Sequence, residues 1–142
     1  GIPIHKLQLS AALRIPQVGP ETRKALRSYQ EPTYLHQVNR RHADGMTMHK
    51  DLPEALALAE QTDGEEWRVH FHVPVFLEKL GAFSSTRAFL EQILALHRSE
   101  PISPHLEIET YTWDVMPKEI RSATVDQDIV REMQWVLEQL GQ

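Results

Sequence analysis

Two segments of this chain alternate apolar and polar side chains, and this pattern constrains the fold more than any other feature. In Trp67–Pro74, valine and phenylalanine alternate with arginine and histidine; in His105–Tyr111, leucine and isoleucine alternate with glutamate and tyrosine. Because successive side chains of a β-strand point to opposite faces, each segment is predicted to be a strand with one apolar and one polar face. If the polar face is solvated, it is the ordinary surface of an antiparallel sheet. If the strands form a parallel barrel, the polar face points into the lumen, where histidine and glutamate need partners such as a metal or a substrate.

The order of the predicted elements favours the barrel. The predicted strands are Ile4–Ser10, Thr33–Val38, Trp67–Val73 and Leu106–Tyr111, and helices begin near Pro20, Asp51, Ser84 and Val125. Alternating strands and helices predict parallel strands joined by right-handed crossovers. Strands with a single apolar face fit a closed barrel, whereas a doubly wound sheet requires strands that are apolar on both faces. We therefore predict an α/β fold of four βα units with parallel strands.

The length of the chain limits this prediction to half of a barrel. A (β/α)8 TIM barrel needs about 250 residues, and the chain has 142. Residues 1–142 are therefore predicted to form half of a TIM-barrel domain. Three alternatives stay open: an N-terminal half is missing, two copies complete the barrel, or the sheet stays open. Because a half barrel leaves bare edge strands, we expect the missing half or a second copy as a partner.

The last predicted helix runs from about Val125 to Leu140. Its apolar residues recur at helical spacing and are predicted to pack into the core. They are Ile129, Met133, Val136 and Leu140.

Composition excludes several classes of function. The chain has no cysteine, so disulfides, cysteine-based zinc sites and a thiol nucleophile are excluded. The formal net charge of −5 argues against nucleic-acid binding, which needs a basic stripe. Apolar runs are far shorter than a membrane span, so no membrane association is expected and a cytoplasmic location is the default.

Four sequence blocks carry a resemblance to a known family: Lys6–Arg14, Tyr34–Val38, Trp67–Phe76 and His105–Trp113. With these blocks, the chain from Ile2 onward resembles the C-terminal half of EboE-like proteins, the bacterial metabolite traffic family, which are xylose-isomerase-like TIM barrels. Many members of the wider superfamily use a divalent metal at the C-terminal mouth of the barrel. The resemblance therefore implies zinc or manganese as a cofactor of this chain.

The resemblance also implies which residues hold the metal. His36 matches the histidine of the sixth barrel strand, and Glu109 matches the glutamate of the eighth. The acidic ligand of the fifth strand falls near Ser10, and serine is a poor ligand. His70 and His72 are the candidates to replace it, and the predicted metal ligands are His36, His72 and Glu109.

Further roles follow from positions near the predicted strand ends, where barrel chemistry takes place. The predicted catalytic residues are His72, Glu109 and His70. The predicted substrate-binding residues are Arg40, Arg41, Arg68, Glu107, Tyr111 and Trp113. For Glu107, a salt bridge with Arg68 or Lys6 is the alternative explanation.

These residues favour an enzyme that acts on a small polar metabolite, and the resemblance implies a role in secondary-metabolite handling. The predicted reaction is that of a sugar isomerase or epimerase, in which a carboxylate or histidine moves a proton next to a carbonyl and a metal or arginine polarises the oxygen. The alternative is a metabolite-binding or traffic protein without catalysis. A phosphodiester-cleaving barrel is a third reading, against which the acidic net charge counts.

Overall fold

The computed structural model describes residues 2–118, 121 and 124–142, with the backbone alone at residues 59 and 60. The strands are β1 (Leu7–Leu9), β2 (Ala11–Ile15), β3 (Val38–His42), β4 (Gly45–His49), β5 (Glu66–Val73), β6 (Lys79–Leu80), β7 (Phe83–Ser85) and β8 (Leu106–Ile108). The α-helices are α1 (Pro20–Leu26), α2 (Leu52–Leu56), α3 (Arg87–Ser99) and α4 (Val125–Leu140). Short 3₁₀ turns follow α1 at Arg27–Tyr29 and α2 at Ala59–Thr62.

Six strands form one sheet in the order β4-β3-β5-β2-β7-β6, and every pairing in it is antiparallel. Strands β1 and β8 form a separate parallel pair. The prediction of four parallel βα units forming half of a xylose-isomerase-like TIM barrel is therefore wrong. The alternation in the two segments was compatible with either architecture, because an antiparallel sheet with one solvated face shows the same period of two.

Local sequence explains which elements form. Pro20 opens α1 at the position where its missing N–H costs nothing, and α4 has the predicted bounds because Thr124 caps it and Gly141 ends it with φ +79°. Strand β5 is present where predicted. Of the predicted strand Thr33–Val38, residues 33–37 lie in no strand and Val38 begins β3. Strand β2 was not predicted.

The core lies on one face of the six-stranded sheet. Strand residues that point into it are Leu13, Ile15, Val38, Trp67, Val69 and Phe71, all fully buried. Tyr29, at the end of the turn after α1, packs edge-to-face on Phe71 with 5.0 Å between ring centroids. The opposite face carries polar residues of β2, β3 and β5: Arg14, Asn39, Arg41, Glu66 and Arg68. One face of the sheet thus packs against the core, and the other face is polar.

Helix α4 buries a different face from the one predicted. Ile129 and Met133, predicted to lie in the core, are 42% and 53% exposed, whereas Asp128 and Glu132 are each 1% exposed. Val136 is buried and Leu140 is half-buried, so only one edge of the predicted apolar stripe reaches the core. The stripe prediction is therefore wrong for Ile129 and Met133.

Association with another chain was expected because half of a barrel leaves bare edge strands. The observed fold is not half of a barrel, so this reason no longer applies. Association stays a prediction, which light scattering would test. Among the helices of the described residues, none is long and apolar enough to cross a membrane. The cytoplasmic location stays a prediction.

Candidate functional site

The end of β5 and the segment that follows β8 lie against each other and build the candidate site. The backbone N–H of Glu109 donates to the carbonyl of Leu9 at 2.9 Å, which extends the pairing of β8 with β1 by one residue. The hydroxyl of Thr112 donates to the carbonyl of His72 at 2.5 Å. The bond from Thr112 holds this segment beside the last residues of β5, and the bond from Glu109 holds it beside β1.

The position of His72 fixes the protonation of its ring. His72 is 3% exposed, and its Nδ1 lies 2.5 Å from the carbonyl oxygen of Glu109. Because a carbonyl can only accept, Nδ1 carries the hydrogen. Burial lowers the pKa of His72; the hydrogen bond to Glu109 opposes this and the neighbouring His70 adds to it. The neutral ring therefore has its lone pair on Nε2.

His70 completes a chain of hydrogen bonds. Its Nε2 lies 2.9 Å from Nε2 of His72, and the two rings are stacked with 4.9 Å between centroids. Since Nε2 of His72 accepts, Nε2 of His70 must donate. In its neutral form His70 then carries its lone pair on Nδ1. The His70 side chain is exposed, so the lone pair on its Nδ1 belongs to the exposed ring of the two.

One tyrosine borders the histidine pair, and a second tyrosine packs against the first. The ring of Tyr111 lies 4.5 Å from that of His72 and 5.1 Å from that of Tyr34, measured between centroids. Burial raises the pKa of Tyr111, and the nearby carboxylate of Glu109 raises it further. The phenol of Tyr111 therefore stays protonated and can donate a hydrogen bond. We name His70, His72, Tyr111 and Glu109 the histidine–tyrosine cluster.

His36, a predicted metal ligand, is occupied by protein partners. It is 1% exposed, with Nε2 at 2.8 Å from the carboxylate of Glu31 and Nδ1 at 3.3 Å from the carbonyl of His70. Burial acts to raise the pKa of Glu31, but hydrogen bonds from Thr33, Tyr34 and His36 outweigh it and lower that pKa. His36 thus supports the backbone beneath the cluster.

No group of three or more histidine, cysteine, aspartate or glutamate side chains is placed to hold a metal ion within the part of the chain that the structure describes. The prediction of a metal-binding protein is therefore corrected. Of the three predicted ligands, His36 and His72 each use ring nitrogens in hydrogen bonds within the protein. Zinc or manganese as a cofactor stays a prediction, which a metal titration would test.

Three predicted substrate-binding residues lie elsewhere. Arg40 makes two hydrogen bonds of 2.8 Å to Glu65, on the opposite face of β3 from Arg41. Glu107 is paired with Lys6, one of the two partners expected for it. Trp113 is buried in the core.

The other two predicted arginines, Arg41 and Arg68, line a cleft on the outer face of the sheet. The cleft has a volume of about 650 Å³. Asn39, Arg41, His42, Ala43, Gly45, Met46, Glu66 and Arg68 line it. His70 is not among them; it follows Arg68 by two residues on β5, so the cleft ends next to the histidine–tyrosine cluster.

Sequence reasoning did not single out Glu31 and Tyr34. The carboxylate of Glu31 accepts hydrogen bonds from the backbone N–H groups of Thr33 and Tyr34 at 2.6 and 2.9 Å. An acidic residue before Pro32 is a turn signal that was available in the sequence. The contact between Tyr34 and Tyr111 spans 77 positions of the sequence (111 − 34), and no local sequence pattern indicates it.

Comparisons with protein families, with curated proteins and with solved structures find no match for this chain. Together with the antiparallel sheet, this finding contradicts the resemblance to the C-terminal half of an EboE-like, xylose-isomerase-like barrel. Support for a function therefore comes from the geometry of the site.

Proposed function

We propose that this chain acts on a small polar metabolite at the histidine–tyrosine cluster and moves a proton on it, as an isomerase or epimerase does. One observation carries the proposal: the hydrogen bonds from His70 to His72 and from His72 to Glu109 fix both tautomers. They leave the lone pair of His70 on Nδ1, in the exposed side chain of the pair. A histidine held in one tautomer by a second group is the arrangement that general-base catalysis requires.

The reaction follows from the groups in the cluster. Nδ1 of His70 removes a proton from a carbon next to a carbonyl, which gives an imidazolium ring and an enolate. The hydroxyl of Tyr111 donates a hydrogen bond to the enolate oxygen, where negative charge develops. For isomerisation, the proton of the hydroxyl on the deprotonated carbon passes to the enolate oxygen, and His70 returns its proton to the former carbonyl carbon, so that the carbonyl moves by one position. For epimerisation, the enolate takes a proton from solvent on its opposite face, and the exposed ring of His70 releases its proton to solvent. No net charge is gained or lost.

Binding of a metabolite without turnover is the second candidate. It is favoured by the exposure of His70, because an active site that excludes water strengthens its electrostatic interactions and an open one does not. The same residues would then position a polar ligand, and His70 would act as a hydrogen-bond acceptor.

Deuterium exchange distinguishes these candidates. The protein is incubated in D₂O with dihydroxyacetone or fructose, both of which carry exchangeable hydrogens beside a carbonyl, and their proton signals are followed by NMR. We expect exchange above the buffer rate in the wild type. In His70→Gln the rate should fall by about 10² or more, because the amide still donates to His72 but cannot act as a base.

His5→Gln is the matched control, since His5 is an exposed histidine outside the cluster. It should leave the exchange rate unchanged. If the wild type catalyses no exchange while the ligand signals still broaden on binding, the binding candidate replaces the enzyme. If exchange persists in His70→Gln, the proposed role of His70 is wrong.

A further inference from the structure

The cleft beside the histidine–tyrosine cluster gathers positive charge within an acidic protein. Arg41 lies opposite Glu66, and Asn39 lies opposite Arg68, in the pairing of β3 with β5. Directly opposed residues of adjacent strands share a face of the sheet. Arg14 of β2 is paired with Arg68 and belongs to the same face. Three guanidinium groups thus lie on this face, in a chain whose formal net charge is −5.

Glu66 neutralises only part of this charge, and mainly that of Arg14. Arg14 donates to both carboxylate oxygens of Glu66, at 2.9 and 3.2 Å. Arg68 reaches Glu66 through Nε alone, at 3.1 Å. Within the described ranges, the two terminal nitrogens of Arg68 and the whole guanidinium of Arg41 make no hydrogen bond or ion pair. Both side chains are exposed.

These free donors surround a space of suitable size. The cleft of about 650 Å³ lies within the range of roughly 300–1,000 Å³ that small-molecule sites occupy. Met46, paired with Arg41 across β3 and β4, supplies an apolar wall. The cleft therefore combines guanidinium donors with a surface that can contact a short carbon chain.

The cleft is aligned with His70. Arg68 and His70 are two residues apart on β5, and both are exposed, whereas Val69 between them is buried. At the rise of a β-strand their Cα atoms are about 7 Å apart, on the same face. A ligand held at Arg68 by one end can therefore reach His70 with its next few atoms.

We infer that Arg41 and Arg68 form a subsite for an oxyanion, so that the metabolite handled at His70 carries a carboxylate or phosphate group. Guanidinium groups bind both anions through paired N–H donors. The inference rests on the proposed function for the role of His70, but the subsite itself is defined by the cleft. Asn39 adds an amide to the same wall.

Binding is tested by NMR titration of the full chain with inorganic phosphate, malonate and, as an uncharged probe, glycerol. Phosphate or malonate should shift the backbone amide signals of Arg41 and Arg68, and glycerol should not. Arg41→Gln and Arg68→Gln should each raise the Kd by about tenfold, the effect of losing one hydrogen bond to a charged group. Response to phosphate alone identifies a phosphate subsite, and response to malonate alone identifies a carboxylate subsite.

Arg27→Gln is the matched control, because it removes the same charge from an exposed arginine on the 3₁₀ turn after α1. It should change the Kd by less than about twofold, as expected for a distant surface charge. Absence of binding by both anions overturns the subsite. Equal weakening by Arg27→Gln and Arg41→Gln also overturns it, since binding would then reflect net charge alone.

Deuterium exchange with dihydroxyacetone phosphate separates the subsite from the proposed function. If phosphate binds through Arg41 and Arg68 but no exchange depends on His70, the subsite stands and the proposed function fails. If His70 exchanges dihydroxyacetone and its phosphate equally well, and Arg41→Gln changes neither rate, the function stands and the subsite is wrong.

Discussion

The carboxylate of Glu132 accepts a hydrogen bond from the backbone N–H of Val75 at 3.0 Å, which ties helix α4 to the residues just after strand β5. The same oxygen accepts a bond of 2.6 Å from the hydroxyl of Thr110, close to the histidine–tyrosine cluster. Glu132 is 1% exposed. A buried carboxylate therefore joins three separate parts of the chain.

Burial gives Glu132 a pH-dependent effect on stability. Burial raises its pKa, the two hydrogen bonds oppose the rise, and the nearby Asp128 adds to it. Because the folded-state pKa is raised, the stabilisation is complete below the unfolded-state value of 4.5 and is lost as the pH rises through the folded-state value. Glu132→Gln keeps the accepting oxygen but cannot ionise. We expect it to raise the free energy of unfolding at pH 7 by roughly 1 kcal/mol, with the difference disappearing near pH 4.

Urea denaturation at pH 4 and pH 7 measures this effect. Glu138→Gln, an exposed glutamate on the same helix, is the control and should change stability little at either pH. A Glu132→Gln variant that is less stable than the wild type at pH 7 would show that the ionised carboxylate is favoured in the fold.

His72 should make the opposite contribution. Burial lowers its pKa, so the neutral ring stabilises the fold above the unfolded-state value of 6.5, and this contribution is lost as the pH falls through the lowered folded-state value. We expect the wild-type free energy of unfolding to fall as the pH drops below 6.5, and His72→Gln to lack this part of the pH dependence. His72→Gln should also cost about 1–3 kcal/mol at pH 7, because the carbonyl of Glu109 loses its partner.

Urea denaturation in half-unit pH steps checks this prediction, with His5→Gln as the control that keeps the wild-type profile. An identical pH profile for His72→Gln and the wild type would mean that His72 does not titrate differently in the folded and unfolded states.

Local signals in the sequence predicted elements but not the architecture. The bounds of α4 follow from its cap at Thr124 and its end at Gly141, and the alternation in β5 identifies a strand. Neither signal specifies the direction of the neighbouring strand. The pairing of β5 with β2 joins residues more than fifty positions apart, and β2 carries no pattern that separates it from the preceding β1.

The candidate site was predictable in part for the same reason. His70 and His72 belong to one strand, and their spacing of two places them on one face. The contact of His72 with residues 109–111 depends on tertiary packing. The burial of Glu132 could not be predicted, because its partners Val75 and Thr110 lie 57 and 22 positions away and decide which face of α4 turns inward.

Arg40 should contribute to stability rather than to ligand binding. It makes paired hydrogen bonds to Glu65 at 2.8 Å, both side chains are 13% exposed, and it donates further to His49 at 3.2 Å. Arg40→Gln leaves a poorly solvated carboxylate without its partner and should cost about 2–4 kcal/mol. Arg41→Gln, the next residue on the opposite face of β3, should cost less than about 0.5 kcal/mol.

Urea denaturation measures both variants, and the phosphate titration is repeated on each. The prediction requires the two effects to separate: Arg40→Gln destabilises and retains phosphate binding, whereas Arg41→Gln does the reverse. Loss of phosphate binding in a folded Arg40→Gln protein would place Arg40 in the subsite.

Tyr111→Phe tests the hydrogen-bond donor of the proposed reaction without disturbing the packing of the cluster. Phenylalanine keeps the ring contacts with His72 and Tyr34, which lie at 4.5 and 5.1 Å, and removes only the hydroxyl. We expect the free energy of unfolding to change by less than about 0.5 kcal/mol. The rate of deuterium exchange on dihydroxyacetone should fall by about 10²-fold, the usual effect of removing a donor at a developing oxyanion.

Tyr34→Phe is the control. Among the contacts of the described residues, the ring of Tyr34 contacts Tyr111 and neither histidine, so the exchange rate of this variant should stay near that of the wild type. An unchanged rate in Tyr111→Phe would show that the phenol does not stabilise the enolate.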